Sequence, residues 1–443
     1  MSLKDKKIAI VGAGLVGSLL SIYFSKLGAK VSVFERRNDM RKDVESAGRS
    51  INLALSDRGI KALEEVGVKE EVLSITMPMY KRIMHSIEGD LTEQDYGKKS
   101  QAIYSVGRRD INCILMNLAE RKGVDILFSK QCLDIKFDTT TLHFKDLDPL
   151  SFDFIFGADG AGSIVRKKMK NKFALKTEER FIDCGYKELT IPSDAEGNHV
   201  ISSDALHIWP RGSYMIIALP NLGGTFTCTL FFPMEGKNSF SLLTNEKELL
   251  NFFNTNFSDL TPLIPDLSEQ YFRNPLSPLG LVRSNSWLEG NIALIGDSCH
   301  ATVPFYGQGM NCGFEDCFLL NETVKECDSI NTFKVKLDAF LKKRKIDTDA
   351  MQDLSLYNFI VMRDKTADKK FLLQKKIEAL FSEKHPDKWL PLYSMVTFSD
   401  IKYSDALRIG QKQNSIMKKI IETPNINAIW NSKEIEERIL SYL

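Results

Sequence analysis

The chain has 443 residues, 43% of them hydrophobic and 26% charged, which is enough for two or three domains with cores of their own. Its net charge of +1 excludes a general attraction to nucleic acid or to an anionic membrane as the basis of its function. The eight cysteines form no CxxC pair and no metal-like spacing with histidine, so we expect free, buried thiols and no metal.

The first predicted unit is a strand, a turn and a helix that lead into a second strand. Residues 7–11 form a short apolar run, residues 16–27 repeat apolar side chains with helical spacing, and residues 31–35 form the second strand. This order within about 30 residues is typical of a parallel sheet that is crossed by helices.

The following segments predict a larger α/β unit. We expect these elements: a strand or turn and a helix at 48–67, a strand at 100–106, a helix at 109–122, and strands at 125–128, 136–144 and 153–156. From about residue 177 to 275, runs such as ALHIW and TFTCTLFFP predict an antiparallel sheet. The chain returns to the first unit at 281–316, and it is helical from about residue 329.

We therefore predict a mixed α/β fold with three parts. Residues 1–176 and 281–328 form a discontinuous nucleotide-binding domain, and residues 177–280 form a β-sheet substrate domain. Residues 329–443 form a helical C-terminal region that covers the substrate site.

Three glycines lie where the first strand turns into the helix. Gly12 would permit the tight turn, Gly14 would let the backbone approach a pyrophosphate, and Gly17 would let the helix pack on the strand. Glu35 ends the second strand, where its carboxylate could bind the adenosine ribose and would repel a 2′-phosphate. The pattern favours FAD or NAD over NADP, and the alternative is a glycine-rich turn that binds nothing.

Two later turns carry further nucleotide motifs. Asp159-Gly160 follows another strand, and its structural alternative is a surface turn with a helix cap at Ser163. Gly296-Asp297 ends the apolar run 292–295, and Asp297 could accept a hydrogen bond from a ribose hydroxyl. Three separate motifs that surround one long ligand are more than NAD alone would need, so the sequence favours FAD over NAD.

A Gly-Gln-Gly loop follows the third motif and opens a helix. The first amides of a helix have no partner within the helix and carry a partial positive charge. We expect them to face the electron-rich edge of a flavin ring, at these residues: Gly309, Met310 and Asn311.

Together, the three motifs resemble those of the single-component (class A) flavoprotein aromatic hydroxylases, whose fold is that of para-hydroxybenzoate hydroxylase. The resemblance implies a Rossmann-like domain that binds FAD tightly but not covalently. It also implies NADPH as a transient reductant, with Asp159-Gly160 serving both FAD and NADPH.

A narrower resemblance, to the branch of that family that hydroxylates L-kynurenine, covers nearly the whole chain. It rests on these segments: GRSINLALSDRG (48–59), RIMHS (82–86), YGKKSQAIYSVGRRDIN (96–112), HIWPRGSYMIIALPN (207–221), VPFYGQGMNCGFEDC (303–317), DLSLYNFIVMRDK (353–365) and LYSMVTFSDIKYSDA (392–406). It implies conversion of L-kynurenine to 3-hydroxykynurenine with O2, through a C4a-hydroperoxyflavin and with consumption of NADPH.

The resemblance also assigns the substrate site. It implies that Arg82 binds the substrate carboxylate, that Tyr96 and Tyr403 donate to the same carboxylate, and that Asn358 lies near the amino-acid end. By residue pattern alone, Arg82 would be a solvated arginine, and the other three would be ordinary structural residues. The remaining predicted contacts, on the wall of the pocket, are Met362, Pro304 and Phe305. The neighbouring Tyr306 departs from the family, which more often has Phe or His there.

Further flavin-nucleotide contacts follow from the resemblance alone. They are Val16, Phe34, Arg36, Arg37, Ala54, Arg108 and Leu133.

The sequence predicts no catalytic side chain, because the substrate's own aniline nitrogen activates the ring and the flavin carries the chemistry. Eukaryotic members end in a membrane-anchoring segment and this chain has none, so we expect a bacterial-type, cytoplasmic protein without an anchor. Two alternatives stay open at this point: a hydroxylase of another aromatic acid, and a flavin-binding redox sensor that hydroxylates nothing.

Overall fold

The structure, a computed structural model, describes residues 3–42, 52–97, 101–362 and 369–443. Parts of three segments discussed above lie outside the described residues: 48–51, 98–100 and 363–365. The strands of the described chain are β1 (Lys7–Val11), β2 (Lys30–Phe34), β3 (Asn52–Leu55), β4 (Met77–Met79), β5 (Lys81–His85), β6 (Leu91–Asp95), β7 (Ile103–Gly107), β8 (Asp125–Leu127), β9 (Cys132–Lys136), β10 (Thr141–Phe144), β11 (Leu150–Ser151), β12 (Phe154–Gly157), β13 (Thr177–Ile191), β14 (Ala205–Pro210), β15 (Met215–Pro220), β16 (Phe226–Phe232), β17 (Ser277–Ser284), β18 (Leu288–Glu289) and β19 (Ile292–Leu294).

The helices are α1 (Leu15–Lys26), α2 (Asp57–Val66), α3 (Lys69–Leu73), α4 (Arg108–Arg121), α5 (Ile164–Phe173), α6 (Glu246–Asn256), α7 (Leu267–Arg273), α8 (Asp297–His300), α9 (Gly309–Val324), α10 (Ile330–Ile360), α11 (Lys369–Lys384), α12 (Leu392–Thr397), α13 (Tyr403–Ile421), α14 (Ile426–Ile429) and α15 (Lys433–Tyr442). The predicted mixed α/β fold is confirmed. Among the helices of the described residues, none combines the length and the apolar character needed to cross a bilayer.

A six-stranded sheet with the order β18-β19-β12-β1-β2-β8 forms the first layer. Strands β19, β12, β1, β2 and β8 run parallel, and β18 pairs antiparallel with β19. Val11 at the end of β1 pairs with Gly157 at the end of β12, and Gly157 pairs with Leu294 of β19. The turns after these three strands therefore meet at one edge of the sheet, where open α/β sheets bind ligands.

A seven-stranded sheet with the order β17-β13-β16-β15-β14-β5-β6 forms the second layer. It is antiparallel except for the pair β14–β5. The predicted strands between residues 205 and 232 are confirmed. Strands β5 and β6 come from the first hundred residues, so part of the predicted nucleotide-binding domain pairs with the sheet predicted to form the substrate domain. The division of the chain into three domains stays a proposal.

Two predicted strand regions differ from the structure. Residues 136–144 form the end of β9, a single 3-10 turn and β10, because Asp138 and the threonines after it make a hairpin turn, in which Thr140 has φ +47°. The sheet predicted to reach residue 275 gives way to helices α6 and α7. Asn245 caps α6 by accepting the Glu248 amide, and the apolar face of that helix packs on the sheet through Phe252 and Phe253.

Candidate functional site

The turn after β1 has the geometry of a pyrophosphate site. Gly12 has φ +105°, and a Cβ placed there would lie 2.6 Å from the carbonyl oxygen of Ala158, so only glycine fits. Gly14 caps α1 without a side-chain hydrogen bond and has open space on its Cβ side. At Gly17, a Cβ would overlap the carbonyl of Gly12, so the helix packs tightly against the turn. The free amides of α1 are thus accessible to an anionic group.

Glu35 is held in place beside this turn. Its carboxylate accepts the amide of Ala13 (3.0 Å) and both the amide (3.0 Å) and the Nε (2.8 Å) of Arg37. Burial opposes ionisation of Glu35, but the hydrogen bonds outweigh it and lower its pKa. A buried, charged carboxylate with unused lone pairs fits a ribose diol. Arg37 therefore acts as a partner of Glu35, and the neighbouring Arg36 is exposed.

The side chains of three residues assigned by resemblance lie in different surroundings, and their contact with the cofactor stays a prediction. The ring of Phe34 is buried in the core against Phe144, at 4.5 Å between centroids, so only the Phe34 backbone lies at the turn, where its carbonyl accepts the Gly12 amide. Leu133 lies on β9 and is 44% exposed. Arg108 is exposed at the first residue of α4 and makes no ion pair with the described residues.

The Asp159-Gly160 motif forms a helix cap beside the Gly12 turn. The Asp159 carboxylate accepts the Ser163 hydroxyl (2.5 Å) and the amides of Ile164 (2.6 Å) and Val165 (3.3 Å). The alternative interpretation, a helix cap at Ser163, is thus confirmed, since Ser163 accepts the Arg166 amide. Cofactor binding by this motif stays a prediction, supported by its place at the shared sheet edge.

The third motif presents a carboxylate with no internal partner. Gly296 has φ +64°, and a Cβ there would lie 3.0 Å from the side chain of Val16, which packs α1 against this turn. Asp297 begins α8, is exposed, and makes no hydrogen bond within the described chain. Its carboxylate is therefore available to accept a ribose hydroxyl, and this role stays a prediction.

The start of α9 lies against β3. Asn311 is fully buried, and its Oδ1 accepts the Ser56 amide at 2.9 Å. Its Nδ2 donates to the carbonyls of Ala54 and Gly307, both at 2.8 Å. Within the described part of the chain, no side chain caps the amides that begin at Gly309, and the neighbouring Met310 is half-buried. The side chain of Asn311 thus fixes the loop, while the backbone amides are left for a ligand.

A separate cluster gathers a cation and three tyrosines beside this loop. The ring of Tyr393 on α12 stacks on Tyr96 (5.2 Å between centroids) and on Tyr306 (5.7 Å). The guanidinium carbon of Arg82 lies 5.8 Å from the Tyr96 ring and 5.6 Å from the Tyr393 ring. Arg82 Nε and the Tyr96 hydroxyl are buried and have no hydrogen-bond partner among the described residues. A carboxylate would satisfy both groups.

Tyr403 is not part of this cluster, which corrects the prediction made for it. It is fully buried, its hydroxyl lies 3.1 Å from Gln308 Oε1, and its ring lies 4.2 Å from the Arg58 guanidinium carbon. Burial raises its pKa well above the ordinary value. Tyr393, ten residues earlier in the same segment, is the tyrosine that lies beside Arg82. Sequence reasoning missed it because the segment offers two tyrosines, and only the fold shows which one faces Arg82.

The predicted wall residues come together next to the cluster. Asn358 Nδ2 donates to the Phe305 carbonyl at 2.6 Å and lies 3.5 Å from the Met362 sulfur. The ring of Phe305 stacks on Phe359 at 4.4 Å. Pro304 is exposed at the start of the short turn that Phe305 continues. The turn therefore presents Phe305 to α10 and Tyr306 to α12.

One buried trio in the described chain has ligand atoms within 4.8 Å of one another, as a metal site would: His300, Cys312 and Asp316. The Arg344 guanidinium, however, donates to Asp316 at 2.7 Å and lies 3.4 Å from the Cys312 sulfur. A divalent cation there would face a fixed positive charge, so these residues form an ion-pair network and do not suit a metal.

Comparison with known proteins agrees with this geometry. A family model for an FAD binding domain matches residues 5–327. Among solved structures, 2-methyl-3-hydroxypyridine-5-carboxylic acid oxygenase superimposes with a TM-score of 0.69 at 20% identity, covering 82% of this chain and 94% of that chain. The motifs, the sheet edge and these matches define an FAD-binding protein with the fold of the flavoprotein hydroxylases.

Curated relatives narrow the assignment further. The kynurenine 3-monooxygenase of Flavobacterium johnsoniae is 48% identical over 443 residues, which cover 99% of this chain and 98% of the relative. That of Stenotrophomonas maltophilia is 41% identical over 420 residues, covering 93% and 92%. The chain belongs to the kynurenine 3-monooxygenase family of flavoprotein monooxygenases, and FAD is its cofactor.

Proposed function

We propose that this protein hydroxylates L-kynurenine to 3-hydroxykynurenine with O2, using NADPH as the reductant of its FAD. The observation that carries the proposal is the cluster of Arg82, Tyr96 and Tyr393, in which the buried Arg82 Nε and the buried Tyr96 hydroxyl have no hydrogen-bond partner among the described residues. The α-carboxylate of an amino acid would supply the missing negative charge and acceptors.

The pocket also suits the rest of the substrate. Arg82 would hold the carboxylate, with the hydroxyls of Tyr96 and Tyr393 as further donors. Asn358 Nδ2 is fixed by the Phe305 carbonyl, which leaves the Asn358 amide oxygen as an acceptor for the α-ammonium group. The aromatic walls at Tyr306 and Phe305 would hold the aniline ring beside the start of α9.

The residues at the other end of the cleft fit FAD. The open amides of α1 would hold the pyrophosphate, Glu35 and Asp297 the two sugar portions, and the first amides of α9 the ring edge. When bound, FAD supplies the activated oxygen for hydroxylation. The aniline nitrogen of the substrate makes the ring nucleophilic, so the side chains need only orient the substrate and exclude water.

The test is NADPH oxidation by the purified, FAD-loaded protein. We expect L-kynurenine to stimulate NADPH loss and 3-hydroxykynurenine to accumulate. If only another aromatic acid stimulated NADPH loss, that acid and not L-kynurenine would be the substrate. No stimulation by any aromatic acid would favour a redox sensor.

The variant Arg82→Ala tests the proposed contact between Arg82 and the substrate carboxylate. Loss of a charge-assisted pair should raise the KM for L-kynurenine by roughly 30- to 1,000-fold, equivalent to about 2–4 kcal/mol, while FAD stays bound. Lys81→Ala is the control, because Lys81 lies on the same strand and pairs at the surface with Glu93. A near-normal KM in Arg82→Ala would show that Arg82 does not bind the substrate.

A further inference from the structure

Arg58 joins α2 to the end of α12 from within the protein. Its side chain is 1% exposed. Nε donates to the Val396 carbonyl at 2.7 Å, and Nη2 donates to the Met395 carbonyl at 3.2 Å and to the Ile401 carbonyl. The last carbonyls of a helix have no partner within the helix, and a cation there also complements the helix dipole. Arg58 therefore caps α12 from a segment more than 300 residues away in the sequence.

The guanidinium of Arg58 is itself anchored to α9. Nη1 donates to Glu315 Oε1 at 2.6 Å, and the other oxygen of Glu315 accepts from Arg344 at 2.8 Å. Arg344 also donates to Asp316 at 2.7 Å. Both acidic residues lie on α9, whose first amides face the proposed flavin position. Arg58 thus sets the end of α12 relative to the helix that contacts the cofactor.

The helix that Arg58 caps carries Tyr393. It has only six residues, which is too short to be stable without outside contacts. Tyr393 is its second residue, three positions before Val396, so both lie within about one helical turn. A shift of the capped end would change where the Tyr393 hydroxyl lies relative to Arg82.

We propose that Arg58 is a positioning residue, which holds α12 so that the Tyr393 hydroxyl meets the substrate carboxylate bound by Arg82. This inference rests on the proposed function. It assigns to Arg58 an effect on substrate binding through Tyr393, beyond its contribution to folding.

The first test measures the KM for L-kynurenine in Arg58→Lys and Arg58→Gln. Lysine keeps a cation beside Glu315 and so preserves the buried charge balance, but it cannot reach three carbonyls in the planar geometry of a guanidinium. We expect KM to rise about tenfold, the value of one charge-assisted hydrogen bond, with kcat changed by less than about threefold. Lys61→Ala is the control, since Lys61 also joins α2 to this segment, through an exposed pair with Asp400 (2.9 Å).

A double-mutant cycle separates positioning from general structural damage. In a Tyr393→Phe background, Arg58→Lys should add less than about a twofold rise in KM, because the hydroxyl that it positions is already gone. An equal rise in both backgrounds would overturn the proposal.

Hydrogen exchange tests the same idea without turnover. In FAD-loaded Arg58→Lys, amides of residues 392–402 should exchange faster than in the unaltered protein, while those of α1 stay unchanged. Unchanged exchange across 392–402 would overturn the proposal. If the unaltered protein did not respond to L-kynurenine, the proposed function would fail, and the exchange measurement would still decide whether Arg58 holds α12 in place.

Discussion

Two tyrosines on the same C-terminal segment should respond differently to the loss of one hydroxyl. Tyr393→Phe keeps the ring, and with it the stacking on Tyr96 and Tyr306 and the contact with Arg82, 5.6 Å away. The substitution therefore leaves these ring contacts in place and removes the hydroxyl that we propose donates to the substrate carboxylate. Such a bond to a carboxylate is worth about 1.5–2 kcal/mol, so we expect the KM for L-kynurenine to rise about 10- to 30-fold.

Tyr403→Phe should act on stability instead. It removes the neutral hydrogen bond to Gln308, at 3.1 Å, in a fully buried position. We expect unfolding to become easier by about 1 kcal/mol, with KM changed by less than about threefold.

The assay pairs steady-state NADPH oxidation at varied L-kynurenine with product analysis, the FAD content of each variant and denaturant unfolding. An equal rise in KM for both variants would show that the Tyr403 hydroxyl affects substrate binding as much as the Tyr393 hydroxyl does, which would contradict their different positions in the structure. A normal KM in Tyr393→Phe would refute the assignment of Tyr393 to the carboxylate.

Three further predictions concern the cofactor turns and pH. Asp297→Asn should weaken FAD binding about tenfold in a fluorescence titration, because a charged acceptor becomes neutral; unchanged affinity would contradict its role at the ribose. Gly12→Ala should abolish FAD retention after gel filtration, since the new Cβ would lie 2.6 Å from the Ala158 carbonyl oxygen at φ +105°. Burial lowers the pKa of His207 from 6.5 to about 4, so the unfolded chain takes up a proton first as the pH falls. Stability should therefore drop by ~3 kcal/mol between pH 6.5 and 4 in urea titrations, and the drop should be smaller in His207→Asn.

The nucleotide half of the site could be predicted from sequence because its parts have fixed positions relative to strand ends. Gly12, Asp159 and Gly296 each follow one of three neighbouring parallel strands of the same sheet. Once each strand is recognised, the sheet brings the turns together without further information. Strand ends do not show which side chains face the site. The backbone of Phe34 lies at the turn, but side chains alternate between the two faces of β2, and the ring of Phe34 points into the core.

The substrate half could not be predicted in the same way. Arg82 is placed by the parallel pairing of β5 with β14, more than 100 residues later, and Tyr393 arrives on a helix from the end of the chain. A local pattern carries no information about such pairings. Family resemblance supplied Arg82 and Tyr96, but it could not choose between two tyrosines ten residues apart.

Helix α9 explains why the two halves depend on each other. Its first turn is held by Asn311 against β3, next to the proposed flavin position. Its next turn carries Glu315, whose two oxygens accept from Arg58 and Arg344. Removing one partner of such a buried pair leaves a charge uncompensated, so the network resists displacement. Arg58 is anchored to α9 and caps the helix that carries Tyr393. A shift of α9 would therefore move its own first amides and the Tyr393 hydroxyl together. Helix α9 would thus link the proposed flavin position to one of the proposed substrate donors, which suits a reaction that transfers an oxygen atom from one to the other.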